Sequence, residues 1–128
     1  MCIRDRSNPV APVVAGRSPV FLDVVQDVKV EGNLAYVADD DAGLQIIDLT
    51  NPTAPAAAGS LGGLGTAMGV NVEGNYAYVT TYDSGQFYLR VIDVSDPTDP
   101  VQVGSLPTPG YSWNVDVVGQ YALSLIHI

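Results

Sequence analysis

The sequence is short of the side chains that most often carry chemistry. Its 128 residues include one cysteine and one histidine. A single cysteine leaves no internal disulfide. Basic residues are also few: five Lys and Arg stand against 14 Asp and Glu, a formal net charge of −9. Nucleic-acid binding needs a basic face, so that class is excluded. Charged residues of both signs reach only 15%, below the usual share of about a quarter. No apolar run approaches the ~18 residues of a membrane-spanning helix. Turn residues are abundant. Thirteen glycines and nine prolines argue against a long helical bundle. The length is that of one ordinary domain.

The scarce residues sit at the ends. Met1-Cys2-Ile3-Arg4-Asp5-Arg6 back-translates as ATGTGTATAAGAGACAG. The reverse complement, CTGTCTCTTATACACAT, encodes Leu123-Ser124-Leu125-Ile126-His127-Ile128. One short DNA sequence, inverted at the two ends, therefore accounts for both hexapeptides. It resembles the mosaic-end adapter used to prepare sequencing libraries. Residues 1–6 and 123–128 are accordingly expected to be adapter-derived, with both natural termini outside this sequence. The segment 7–122 has 116 residues and neither cysteine nor histidine. Its cations are Arg17, Lys29 and Arg90, against 13 carboxylates, a net charge of −10. A Cys/His zinc site, a thiol nucleophile and a histidine general base are thereby excluded from it.

The segment repeats itself. Leu44-Gln45-Ile46-Ile47-Asp48-Leu49-Thr50-Asn51-Pro52-Thr53-Ala54-Pro55 recurs 45 residues later as Leu89-Arg90-Val91-Ile92-Asp93-Val94-Ser95-Asp96-Pro97-Thr98-Asp99-Pro100. Ser7-Asn8-Pro9-Val10-Ala11-Pro12 matches the end of the same unit. A second block, Val28-Lys29-Val30-Glu31-Gly32-Asn33-Leu34-Ala35-Tyr36-Val37, recurs from Val70 to Val79, and partly from Val115 to Ala122. The third copy breaks at Leu123, where tyrosine is expected, and Arg6 falls where Leu49 and Val94 are apolar. Both breaks coincide with the terminal hexapeptides.

Each unit reads as four short strands. Asp27 to Glu31 alternates valine with polar residues, a period of two. Gly32-Asn33 and Gly74-Asn75 separate apolar runs, as hairpin turns do. Second strands are predicted over Leu34 to Ala38 and Tyr76 to Thr80, followed by loops 39–43 and 82–86. Third strands follow over Leu44 to Leu49 and Phe87 to Val94. Asn51-Pro52 and Asp96-Pro97 then turn the chain, because proline lacks the ladder donor and fixes φ. Fourth strands run from Ala56 to Ser60 and Val101 to Leu106.

Four antiparallel strands every 42–45 residues is the arithmetic of β-propeller blades. The expected class is all-β, a partial β-propeller of about two and a half four-stranded antiparallel blades. Residues 7–20 would end a preceding blade, 21–62 and 63–107 would form complete blades, and 108–122 would begin the next. A closed ring has about four to eight blades. The chain is therefore expected to expose apolar faces and to associate.

Leu44-Gln45-Ile46-Ile47-Asp48 and Leu89-Arg90-Val91-Ile92-Asp93, each followed by (Leu/Val)-(Thr/Ser)-(Asn/Asp)-Pro, resemble the LVIVD-repeat family of propellers. The family pattern is Leu-Val-Ile-Val-Asp, so the second position is polar here. The resemblance covers essentially all of 7–122 and implies a surface or secreted bacterial protein without assigned chemistry. It thus implies an extracellular or cell-surface location.

Repeated residues are read as structural. Asp48 and Asp93 are expected to accept hydrogen bonds from turn amides rather than to form a ring of carboxylates. Function lies more often where repeats differ. Asp39, Asp40 and Asp41 offer oxygen ligands to calcium, or else form a solvated acidic turn. Their spacing is not that of an EF-hand. No other cofactor is expected. Tyr111 and Trp113 lie in the connection entering the third unit, and Tyr82 and Asp83 in the loop of the second. In a propeller such connections share one face, so these four are binding-face candidates, or the aromatics pack between blades. Leu61-Gly62-Gly63-Leu64-Gly65 lacks the pattern of a phosphate cradle and reads as a flexible connection.

Two function classes follow. The first is a non-catalytic scaffold that binds a protein or glycan, with the remaining blades of the full-length chain as its structural partners. The second is a fragment of a propeller enzyme whose active site lies on the loop face or in the central channel, mostly outside this segment.

Overall fold

The computed structural model describes residues 2–5, 10–11, 13–17 and 23–127. Every regular element among the described residues is a strand. These are β1 (Cys2–Asp5), β2 (Val13–Arg17), β3 (Val25–Glu31), β4 (Leu34–Asp39), β5 (Leu44–Asp48) and β6 (Ala56–Leu61). They continue as β7 (Thr66–Glu73), β8 (Tyr76–Asp83), β9 (Gln86–Asp93), β10 (Val101–Thr108), β11 (Tyr111–Val118) and β12 (Tyr121–His127). Two four-stranded sheets form in sequence order, β3-β4-β5-β6 and β7-β8-β9-β10, with the pairs β1-β2 and β11-β12 beside them. All pairings are antiparallel. This is the meander of propeller blades, and the sheets do not close into a ring.

Of residues 7–20, Val13–Arg17 forms β2; residues 7–9, 12 and 18–22 lie outside the described residues. Of the terminal hexapeptides, Cys2–Asp5 pairs with β2 in the register that β5 and β9 use with β6 and β10: Ile3 faces Gly16 as Ile46 faces Gly59 and Val91 faces Gly104. Of the other, residues 123–127 lie in β12, paired with β11.

The turns follow the residue types. Gly32, Gly74 and Gly119 open two-residue hairpins at φ near +60°, the first central position of a type II′ turn. The carbonyls of Asn33 and Asn75 then accept the amides of Leu49 and Val94, at 2.7 and 2.8 Å. Asp48 Oδ1 accepts the Thr50 amide (2.7 Å) and Asp93 Oδ1 that of Ser95 (2.9 Å). The repeated aspartates thus satisfy local backbone donors. Asn51 and Asp96 each accept both the amide and the hydroxyl of the threonine two residues on.

One sheet packs on the next. A single apolar cluster joins Tyr36, Ala38, Leu44 and Ile46 of the first to Val70, Val72, Val79 and Ile92 of the second. Stacking shows in equivalent valines. Val70 and Val115, with a sheet before them, are each 3% exposed, whereas Val28 is 45% exposed. Burying such a side chain stabilises by about 1.5–3 kcal/mol. Polar links cross the same junctions: the Val70 amide donates to Asp27 Oδ2 (3.0 Å), and Asn71 Nδ2 to Asp116 Oδ1 (2.9 Å).

Two expected loops are shorter or firmer than the sequence suggests. Tyr82–Gln86 is strand except for Ser84-Gly85, which both take positive φ (51° and 86°). That is the type I′ turn, and it lets the ladder run on to the pair Asp83–Gln86. In the glycine-rich connection, Leu64 is buried in the shared core. Gly65, at φ +77°, lies against the Tyr82 carbonyl with no room for a Cβ. The connection is pinned at both residues.

Candidate functional site

The type I′ turn decides what reaches the loop face. With the ladder extended, Tyr82 and Phe87 become direct cross-strand partners. Their ring centroids are 4.8 Å apart, with planes inclined at 42°. Phe87 meets Tyr111 at 4.5 Å and 46°. Tyr111 meets Trp113 at 6.3 Å, with planes within 8° of parallel. Four aromatics from three strands of two sheets therefore form one continuous row. With Thr66 and Met68 of β7 they line a groove of about 230 Å³. Tyr82 (41%), Tyr111 (53%) and Trp113 (52%) each present about half their surface to solvent.

Three of the four binding-face candidates thus share one groove. Asp83 does not line it. Its Oδ2 is ion-paired with Arg90 Nη2 at 3.1 Å and its Oδ1 accepts from the Ser84 hydroxyl. Arg90 is buried, and its remaining donors reach Thr81 Oγ1 (2.9 Å) and Gln102 Oε1 (3.1 Å). The guanidinium also lies 5.0 Å over the Tyr88 ring. Asp83 and Arg90 are therefore occupied in holding β8, β9 and β10 together.

Sequence reasoning missed Phe87, Met68 and Thr66. Phe87 was legible in principle, because Ser84-Gly85 suits a two-residue turn that places Tyr82 opposite it. Met68 sits at a bulge between Ala67 and Gly69, which nothing in the local sequence marks.

The acidic run divides. Asp39 is fully buried on the face of β4 that carries Ala35 and Val37, and neither carboxylate oxygen has a hydrogen-bond partner among the described residues. Asp40 takes φ +42°, and its carbonyl accepts the Ala67 amide at 2.7 Å. Asp41 is exposed, and its Oδ1 accepts from Thr66 Oγ1 at 3.0 Å. Burial pushes the Asp40 carboxyl above its ordinary value, and the charges of Asp41, Asp23 and Asp39 add to the effect. A solvated turn thus describes Asp41 and not Asp39. Among the described residues no three acidic side chains converge as a metal site. Among the described residues no helix is long and apolar enough to cross a membrane.

Neither a curated protein nor a solved structure matches the chain. The family model of the LVIVD repeat matches twice, over residues 24–61 and 64–108. These spans hold the two four-stranded sheets and most of the chain, so this protein belongs to the LVIVD-repeat family.

Proposed function

We propose that the chain is a non-catalytic binding module whose contact surface is the aromatic groove between the second sheet and β11. The observation that carries this reading is the convergence of Tyr82, Phe87, Tyr111 and Trp113 on one groove with three rings half exposed. Half-exposed aromatics offer large contact area at low conformational cost. None of the six lining residues is a carboxylate, amine, thiol or imidazole, and the proton-bearing groups are the hydroxyls of Thr66, Tyr82 and Tyr111 and the Trp113 indole N–H, a lining that favours holding a ligand over acid–base work. The repeat scaffold fits a longer propeller of a surface or secreted protein, with further blades of the same chain as its neighbours.

Trp113 is the only tryptophan, so its emission reports on the groove directly. A panel of peptides, saccharides and small organic ions is expected to contain ligands that shift this emission saturably. Tyr111→Ala should weaken that response by about tenfold, roughly the loss of one well-packed aromatic contact. A panel that leaves Trp113 unmoved, or a response untouched by Tyr111→Ala, overturns the reading.

A further inference from the structure

We propose that the groove accepts a trimethylammonium group of choline type, as a small ligand carrying net positive charge. The inference rests on the binding-module reading and names the ligand's chemistry. Three observations support it. First, the walls are π-rich. Four of the six lining residues are aromatic, and Met68 adds a polarizable thioether. An aromatic face attracts a cation through its quadrupole, and a methylated ammonium sheds its water more readily than a bare one. Secondly, the groove offers few polar atoms. Apart from ring hydroxyls and the indole N–H, the lining supplies Thr66, whose hydroxyl already donates to Asp41. A saccharide needs several hydrogen-bond partners for its hydroxyls, and a group left unpaired on burial opposes binding. A trimethylammonium needs none.

Thirdly, the charge around the groove has one sign. Asp41 is a single hydrogen bond from the wall, through Thr66, and Asp40 is bridged to Ala67 beside it. Neither has an ion-pair partner among the described residues, where the ion pair is Arg90–Asp83. Arg90, on the strand that carries Phe87, is neutralised by Asp83. Burial, and after it the charges of Asp41, Asp23 and Asp39, push the Asp40 carboxyl up, in keeping with this acidic surrounding. The whole chain carries −9, which repels anions and favours cations at encounter.

The test uses the 128-residue chain and its tryptophan. Trp113 emission is titrated with choline, with its neutral isostere 3,3-dimethyl-1-butanol, with glycine betaine and with glucose. Choline is expected to saturate the shift. The isostere, which has the same shape without the charge, should bind about tenfold more weakly or worse, as expected for a partly desolvated cation–π site. Betaine, whose carboxylate meets the acidic rim, should also fall below choline. Asp41→Asn, an exposed substitution, should weaken choline severalfold and leave the isostere unchanged. Tyr111→Ala should weaken choline while retaining the strand signature of the fold. Equal binding of choline and the isostere overturns the proposal and leaves a merely apolar groove, with the binding-module reading intact. A response to glucose and none to choline does the same. No response to any probe in this set overturns the trimethylammonium proposal, and silence across the wider panel overturns the binding reading too.

Discussion

The Pro97 carbonyl occupies the space that a Cβ on Gly59 would need. Gly59 lies in β6, the outermost strand of the first sheet, and Pro97 in the Asx-Pro-Thr turn of the second. One unit earlier the same relation holds between Gly16 and Pro52. Each glycine follows a bulge in its strand. The turn of one unit is thereby seated on the outer strand of the unit before it. Gly59→Ala is expected to destabilise the chain by about 1–3 kcal/mol through overpacking. The matched control is Gly104, whose added Cβ meets only Val91 at ordinary contact distance. Gly104→Ala should change stability by less than about 0.5 kcal/mol. Denaturant midpoints of the two variants check the pair.

Arg90 binds through a planar fork to three acceptors at once: Thr81, Gln102 and Asp83. Lysine has the charge without the fork. Arg90→Lys should therefore cost about 1.5–3 kcal/mol, the scale of a lost buried charged hydrogen bond. Asp83, whose side chain is 41% exposed, should tolerate Asn far better. Chemical denaturation of both variants separates the two roles, and equal losses would contradict this assignment.

The pH dependence has two opposing parts. The Thr50, Ser95 and Thr98 groups that donate to Asp48, Asp93 and Asp96 hold these carboxyls below their ordinary value. Their stabilisation is present above the unfolded value near 3.9 and is lost as pH falls through the folded values. Asp40 has the opposite sign. Burial and then neighbouring carboxylates raise it, so its favourable contribution is present in acid and lost as pH rises through its folded value. Asp93→Asn, which can still accept the Ser95 amide, should flatten the acid limb of a stability profile. Asp40→Asn should stabilise at neutral pH and lose that advantage below about pH 4. Asparagine tolerates the positive φ found there.

Asp39 is a buried carboxylate whose oxygens meet no donor. In the second unit Thr81 stands in its place and accepts from Arg90, while Gln45 stands where Arg90 does and donates to the Ala42 carbonyl instead. Asp39→Leu, which puts an apolar side chain of similar size where the carboxyl has no partner, should stabilise the chain by about 1–3 kcal/mol, the usual cost of an unsatisfied buried group. The divergence of Asp39, Asp40 and Asp41 leads to the expectation that millimolar calcium does not move the melting midpoint. A rise with calcium that disappears in Asp39→Asn would instead make this carboxylate a ligand.

Much of the fold was legible because the same local chemistry occurs more than once. Gly32-Asn33 and Gly74-Asn75 announce hairpins, and Asn51-Pro52 and Asp96-Pro97 announce turns, each from adjacent residues alone. Phe87 was not assigned to the groove because its partner depends on turn length. Reading Tyr82–Gln86 as a loop leaves Tyr82 facing nothing, whereas a two-residue turn sets it against Phe87. The burial of Asp39 was equally hidden. The two residues that follow it are carboxylates, and only the side of the sheet on which it falls removes it from water. Leu64 lies among glycines, and its burial depends on two sheets meeting.

The hairpin glycines give the strands two unlike ends. Gly32, Gly74 and Gly119 have nothing within 4 Å of where a Cβ would stand. The groove lies at the other end of the same ladders, where Thr66 pairs with Tyr82 and Tyr82 with Phe87. One rim of the molecule therefore carries open glycine turns and the other the aromatic row. A fluorophore or surface tether fixed at Asn33 or Asn75 would hold the protein by its inert edge and leave the aromatic row facing the sample.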